Sequence, residues 1–213
     1  MDRPIHNQTP FDLPEAGNDP FALFDRWFKE ARQADPKNAA VVALATTTPE
    51  ARPSLRMVLL KEYSETGFLF YSNYESRKGS ELAQNPVAAM TFWWPSFAKA
   101  SEGRPAPERQ VRIEGKIEKI SATESDAYFA DRPRESQLSA WASPQSSIIK
   151  QPVTLDKLRK RFGDGPIPRP SNWGGYRLVP ETFEFWQGRA SRLHDRIRFT
   201  KTADGWKADR LAP

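Results

Sequence analysis

The chain has no cysteine among its 213 residues. That excludes disulfides, thiolate metal sites and cysteine nucleophiles, and leaves the compartment to be argued from other signals. Histidine is scarce: only His6 and His194 are present. No apolar run approaches the roughly 18 residues that span a bilayer, so no membrane partner is expected. The N-terminus is polar and proline-rich, with no secretory signal, which points to the cytoplasm. There is no Gly-x-Gly-x-x-Gly and no Walker loop, which argues against Rossmann or P-loop nucleotide sites. Nor is there a run of five or six like charges. The net charge is +5, but Arg and Lys stand singly among apolar residues. That favours discrete phosphate sites over a nucleic-acid stripe. No metal site is expected.

What remains is an ordinary globular composition, 38% hydrophobic and 28% charged, with length enough for a real core. Thirteen Phe and seven Trp could stack on bases, but aromatics in strands are more often core. Residues 1–18 lack periodicity, hold three prolines and read as a flexible arm; residues 19–213 read as one domain. Asp19-Pro20 opens a helix, with Asp as N-cap and Pro in the first turn. Phe21, Phe24, Trp27, Phe28 and Ala31 make its apolar face.

Strand-like runs follow at 39–46, 55–63, 68–72, 87–94 and 110–120. The last two of these are separated by a long loop; after a helical stretch and a stiff Pro-rich segment, the closing strands are 176–179, 182–186, 192–200 and 206–210, the last two joined by an Asp204-Gly205 turn. Hairpin-linked strands of this kind suggest an antiparallel sheet closing into a barrel, mainly β with peripheral helices. Ser76 is placed to cap a short helix to about Gln84, with Arg77 and Lys78 in its first turn. Cations there oppose the macrodipole and make sense beside a bound anion, although taken alone the segment reads more simply as a surface turn with solvated charges. Ser121-Ala-Thr-Glu124 is a capping box for a helix to about Asp131. Tyr128 and Arg132 are spaced to share a face, and Ser136 is placed at the N-terminus of the next helix, so the three could converge on one phosphate. A third helix spans 154–162, with Gly163 as its stop.

The densest chemistry lies at Trp186-Gln-Gly-Arg-Ala-Ser-Arg192-Leu-His194-Asp-Arg196. Read as a strand beginning near Arg192, it puts Arg192, His194 and Arg196 on one face by alternation. Two guanidiniums flanking an imidazole attract anions; a solvated, Arg-rich edge strand is the plainer reading.

These pieces, with Arg56-Met-Val-Leu-Leu-Lys61, Phe70-Tyr71-Ser72-Asn73, Ser76-Arg77-Lys78, Glu108-Arg-Gln110-Val, Arg132-Pro-Arg-Glu-Ser136-Gln, Trp141-Ala-Ser-Pro-Gln145-Ser146, Trp173-Gly-Gly and Arg210-Leu-Ala-Pro, resemble the pyridoxine (pyridoxamine) 5′-phosphate oxidases in sequence and order. The resemblance covers roughly Asp19 to the end. It implies an FMN-binding split β-barrel working as a homodimer, with FMN at the subunit interface. It implies that Arg56, Arg77, Lys78 and Ser146 grip the FMN phosphate and ribityl tail. The backbone of Met57, Val58, Leu59 and Leu60, with Tyr71, Ser72, Gln110 and Gln145, would line the flavin, and Trp186 and Arg196 would contact it from the barrel edge. Lys61, which borders the cofactor too, would hold the substrate phosphate with Tyr128, Arg132 and Ser136. Arg192, Leu193 and His194 would address the pyridine ring, with Arg192 and His194 as the catalytic candidates. The implied reaction is oxidation of pyridoxine or pyridoxamine 5′-phosphate by O2 to pyridoxal 5′-phosphate and hydrogen peroxide.

Two features depart from the family. Some members carry an Arg-Arg-Glu-Tyr lid segment in the N-terminal arm, which nothing in residues 1–18 matches. The loop at 95–107 is longer than usual and reads as a solvent-exposed insertion. The rival readings are a related flavin oxidase acting on another ring, as in phenazine biosynthesis, and a non-catalytic flavin- or pyridoxal-phosphate-binding protein.

Overall fold

The computed structural model describes residues 10–95 and 108–213. Residues 1–9, His6 among them, and nearly all of the 95–107 loop lie outside the described residues. The architecture is one nine-stranded antiparallel sheet with helices at its periphery, the split-barrel class expected.

Strand β1 (Val41–Thr47) pairs with β2 (Pro53–Leu59) and β5 (Val87–Trp94). β5 pairs with β6 (Arg109–Lys119), which runs the length of β7 (Trp173–Gln187). The split originates in β7. Its first half pairs on the other edge with β4 (Gly67–Asn73), which β3 (Glu62–Ser64) extends; its second half pairs with β8 (Asp195–Thr202), which β9 (Gly205–Leu211) extends. Pro180 has no N–H to give a ladder, and the β6–β7 register shifts between Glu114 and Gly115. A Cβ on Gly115 would lie 2.0 Å from the Val179 carbonyl oxygen, so only glycine permits this bulge.

The aromatics are core. Helix α2 (Pro20–Ala34) starts where Asp19 accepts the Phe21 N–H at 2.8 Å, and Asp35 caps its end. Its apolar face puts Phe24 4.9 Å from Phe68 and 5.2 Å from Phe92, ring centre to ring centre, and Trp27 5.3 Å from Phe185. Each such fully buried side chain stabilises the fold by roughly 1.5–3 kcal/mol. Helices α3 (Arg77–Gln84) and α4 (Ala122–Ala130) begin at the expected caps, Ser76 and Ser121. Both halves of the Ser121–Glu124 capping box form. Ser121→Ala should therefore lower stability by about 1 kcal/mol, read as a smaller denaturation midpoint with an unchanged slope.

Several expectations need correction. Residues 10–18 are not loose: Phe11 is buried 5.0 Å from Trp27, and helix α1 (Leu13–Ala16) follows it. The run 55–63 breaks at Leu60-Lys61 into β2 and β3, so strand parity does not carry from Arg56 to Lys61. The stretches 176–179 and 182–186 are one strand, bent at the bulge. Helix α5 (Arg134–Ala142) begins two residues before Ser136, which lies in its first turn. Helix α6 (Asp156–Phe162) starts two residues late, and its hydrophobics are only partly buried. The final turn is Ala203-Asp204, one residue earlier than the sequence suggests.

Candidate functional site

A cavity of about 580 Å³ opens between β2, β4 and helices α4 and α5. β2 contributes Met57, Val58 and Leu59, and Lys61 follows two residues beyond its end. β4 contributes Tyr71 and Ser72, and α3 contributes Lys78. Tyr128, Arg132, Ser136 and Gln145 close the opposite wall. These eleven expected site residues therefore meet in one place.

The wall also contains Asn73, Pro133, Ser139, Ala140, Ser143 and Trp173, which sequence reasoning missed. A signal for four wall positions existed: Ser136, Ser139, Ala140 and Ser143 follow the i, i+3, i+4, i+7 spacing of one helix face. Trp173 had a weaker one in the glycines that follow it. A Cβ on Gly174 would sit 2.0 Å from the Tyr74 hydroxyl, so the backbone there must approach closely.

The cavity has two cationic centres. The first is Lys78, whose residue surface is only 8% exposed. Its ammonium donates to Ser72 Oγ at 2.9 Å, Ser76 Oγ at 3.0 Å and Gln145 Oε1 at 2.8 Å, all neutral acceptors. Burial, with the positive charge of Arg56 nearby, brings its pKa down to about 8. A buried cation held only by neutral dipoles suits an anionic ligand.

The second centre is Arg132. Its guanidinium carbon lies 4.5 Å from the Trp173 ring centre, and its buried Nη1 has no hydrogen-bond partner. Burial pushes its pKa below the usual arginine value. Trp173 stacks on Tyr71 at 5.3 Å, and Tyr71 stacks on Tyr128 at 3.8 Å with their planes 9° apart. Lys61 Nζ is 6.0 Å from the Tyr128 ring centre. Burial, then the nearby Tyr128, raises the Tyr71 phenol to about 12, so it stays a neutral donor.

Arg56 and Arg77 are placed differently from Lys78: neither lines the cavity, and both bond to Glu81, a residue the sequence reading passed over. Glu81 is buried and pairs with Arg56 at 3.3 Å and Arg77 at 2.9 Å. It also accepts from Ser54 at 2.5 Å and from Thr46. Burial pushes this carboxyl up, but the hydrogen bonds and the Arg56 charge outweigh it and hold the pKa near 2. Arg56 further donates to Thr46 Oγ1 at 2.6 Å and the Leu44 carbonyl at 3.1 Å. Leu60 is core. Ser146 is exposed, with a left-handed backbone at φ 74°.

The remaining expected residues form a second locus. Gln110, Trp186 and Arg196 are cross-strand partners in one row over β6, β7 and β8. Arg196 donates to Glu184 at 2.9 Å and to the Ala212 carbonyl at 2.9 Å. His194 packs 4.6 Å from Trp186 and accepts the Arg189 N–H on Nδ1 at 3.1 Å. The strand expected from Arg192 begins only at Asp195: residues 190–192 make a 3₁₀ turn. Ser191 and Arg192 have φ of 57° and 63°, a left-handed pair that ends strand alternation. Arg192, Leu193 and His194 thus belong to a loop, and Leu193 is 67% exposed.

An antiparallel split barrel with an aromatic-walled, doubly cationic cavity places the chain in the split-barrel class. Among solved structures, PhzG from Burkholderia lata 383 in complex with tetrahydrophenazine-1-carboxylic acid superposes with a TM-score of 0.81 at 27% identity, covering 97% of this chain and all of that one. An FMN-binding, pyridoxamine 5′-phosphate oxidase-related protein of Nostoc punctiforme shares the fold at a TM-score of 0.68 and 17% identity, over 89% of this chain and 97% of that one.

Residues 28–158 match the pyridoxamine 5′-phosphate oxidase family model, and residues 173–213 match the pyridoxine 5′-phosphate oxidase C-terminal dimerisation region. The pyridoxine/pyridoxamine 5′-phosphate oxidase of Burkholderia cenocepacia is 51% identical over 98% of this chain and 95% of its own length; that of Burkholderia multivorans is 50% identical over the same shares. The chain belongs to the pyridoxine/pyridoxamine 5′-phosphate oxidase family of oxidoreductases. Among the described residues no helix is long and apolar enough to cross a membrane.

Proposed function

We propose that this protein binds FMN as a homodimer and oxidises pyridoxine and pyridoxamine 5′-phosphate with O2, yielding pyridoxal 5′-phosphate and hydrogen peroxide. With the amine substrate, water enters and ammonia leaves. The observation that carries this reading is the pair of separate cationic centres in one cavity. A phosphorylated cofactor and a phosphorylated substrate need two such centres.

The residues fit FMN. Lys78 offers a buried charge without a carboxylate partner at the start of α3, where backbone N–H groups also face an anion. Arg56 and Arg77, aligned by Glu81, and Ser146 lie in the segments assigned to the same phosphate and its tail. The backbone of 57–60, with Tyr71, Ser72 and Gln145, would line the ring, and Gln110 would reach it from the second locus. FMN, when bound, supplies the hydride acceptor and passes the electrons to O2.

The chain's own residues bind and orient. Lys61, Tyr128, Arg132 and Ser136 hold the substrate phosphate. Arg192 and His194 hold the pyridine ring, and Trp186 and Arg196 border the flavin. Two features support completion of the cavity by a second protomer: these last residues lie in the segment matching the dimerisation region, and apolar side chains stand exposed beside both loci. Leu55, Met57 and Leu59 on the edge strand β2 are 68%, 60% and 48% exposed. Burying them in an interface accounts for a hydrophobic edge that would otherwise invite aggregation.

The likeness to PhzG keeps a phenazine-type ring as the second reading. The vitamin B6 substrate is favoured because Lys61, Tyr128, Arg132, Ser136, Arg192 and His194 are all present and the relatives near 50% identity carry that name. The purified protein should be yellow with about one FMN per chain. Pyridoxine 5′-phosphate added without oxygen should bleach the flavin band, and air should restore it with peroxide formed. Colourless protein that takes up no FMN overturns the reading, and flavin that B6 phosphates leave oxidised points to the second reading or to a non-catalytic binder.

A further inference from the structure

The loop carrying Arg192 and His194 holds two consecutive non-glycine residues, Ser191 and Arg192, in left-handed backbone. Such conformations are costly for non-glycine residues and persist only where the surroundings over-determine them. What fixes this loop is Asp195, buried at the start of β8. Its Oδ2 accepts the Phe11 N–H at 3.0 Å and Arg189 Nη1 at 3.3 Å, and its Oδ1 accepts Arg210 Nη1 at 3.0 Å. Arg210 Nη2 closes the ring by donating to the Phe11 carbonyl at 3.2 Å. Phe11 is itself clamped in the core.

One carboxylate therefore ties three distant segments: the N-terminal segment, the end of β9 and the loop. Arg189 is the link to chemistry, because its side chain binds Asp195 while its N–H donates to His194 Nδ1 at 3.1 Å. That hydrogen bond fixes neutral His194 with its proton on Nε2.

We propose that Asp195 is a positioning residue for the reaction: through Arg189 it holds the strained loop so that Arg192 and His194 present one geometry, with His194 in one tautomer. This rests on the reading above that Arg192 and His194 meet the substrate. Asp195 does not line the cavity that holds the proposed substrate-phosphate residues, so its effect falls on kcat more than on KM or flavin content.

The test uses the FMN-loaded dimer. In Asp195→Asn, kcat with pyridoxamine 5′-phosphate is expected to fall about tenfold, with KM changed less than threefold and FMN content retained. The long-range ¹H–¹⁵N spectrum gives a readout that mere stability does not move. The chain has two histidines, and a His6→Gln variant assigns them. Wild-type His194 should show the Nε2–H pattern, and Asp195→Asn a mixture of tautomers. Should Asp195→Asn fail to fold, Arg189→Ala takes its place, since it leaves the Phe11–Asp195–Arg210 ring intact; the same loss of kcat is expected. Wild-type kcat and an unchanged His194 spectrum in these variants overturn the proposal, provided that Arg192→Ala is impaired. An unimpaired Arg192→Ala would instead refute the substrate assignment of the loop.

Discussion

Pyridoxine 5′-phosphate should be turned over with a kcat/KM roughly a thousandfold or more above that of pyridoxine, and Arg132→Ala should remove much of that difference. The argument starts from the guanidinium. Arg132 lies over the Trp173 ring, its guanidinium carbon 4.5 Å from the ring centre, and its buried Nη1 has no partner within the protein. A buried donor of this kind costs about 1–3 kcal/mol unless something accepts from it. A phosphate oxygen does so, and hydrogen bonds to charged groups contribute roughly 1.5–3 kcal/mol each. Lys61, Tyr128 and Ser136 line the same cavity and add further donors. Desolvation and incomplete additivity reduce the sum to on the order of 4–6 kcal/mol, at about 1.4 kcal/mol per factor of ten. Of this, Arg132 should account for about 2–3 kcal/mol, so Arg132→Ala should lower kcat/KM for the phosphorylated substrate some 30- to 150-fold and barely affect pyridoxine. Arg132→Lys should fall between, because a point charge keeps attraction but loses the planar fork and the stacking on Trp173. Equal kcat/KM for the two substrates in wild type would mean that these four residues hold no phosphate.

What was legible in the sequence is what local chemistry determines. Asp19-Pro20, Ser76 and the Ser121–Glu124 box are decided within a few residues, and those helices begin where their caps said. Strand partners of period 2 also read well where nothing interrupts the period, as at 87–94. The failures sit where tertiary contacts override the local signal. β7 continues through Pro180 because the bulge at Gly115 absorbs the irregularity, a device that needs both strands to be seen at once. Residues 192–194 looked like strand by alternation; nothing local announces left-handed Ser191 and Arg192, in a loop whose Arg189 pairs with Asp195, itself bonded to Phe11, 184 positions away. Glu81 escaped notice because a glutamate on a short polar helix reads as a solvated face. Its role appears only once β1 and β2 bring Thr46, Ser54 and Arg56 over it. The candidate site residues were chosen by motif order, and the structure places most of them around the cavity and at a second locus over β6, β7 and β8. The interfacial site proposed above would account for that division: a sequence names the residues of both halves and cannot say which protomer delivers each.

Lys78→Met should weaken FMN binding by about 2–3 kcal/mol, or 30- to 150-fold in Kd, and should also flatten its dependence on pH. Burial sets the Lys78 pKa near 8, against 10.5 for the free side chain. Below pH 8 the ammonium is charged in both folded and unfolded chains, and the full cost of burying it is present. Between pH 8 and 10.5 the folded chain releases a proton that the unfolded chain keeps, so the stability of the flavin-free protein rises with pH across that window. Allowing for solvent screening, the gain is roughly 2–3 kcal/mol. The flavin phosphate reverses the sign, because a dianion beside the ammonium favours its charged form. Binding above pH 8 then requires proton uptake, so FMN affinity should be about tenfold weaker at pH 9 than at pH 7. Met has nearly the same length and no charge, so the variant should lose both slopes and melt at or above the wild-type temperature without flavin. The measurements are FMN titrations by fluorescence quenching at pH 7, 8 and 9, and thermal melts of the flavin-free protein from pH 7 to 10.5. Equal FMN affinity in wild type and variant, or a pH slope that persists in Lys78→Met, would show that this buried cation does not bind the cofactor phosphate.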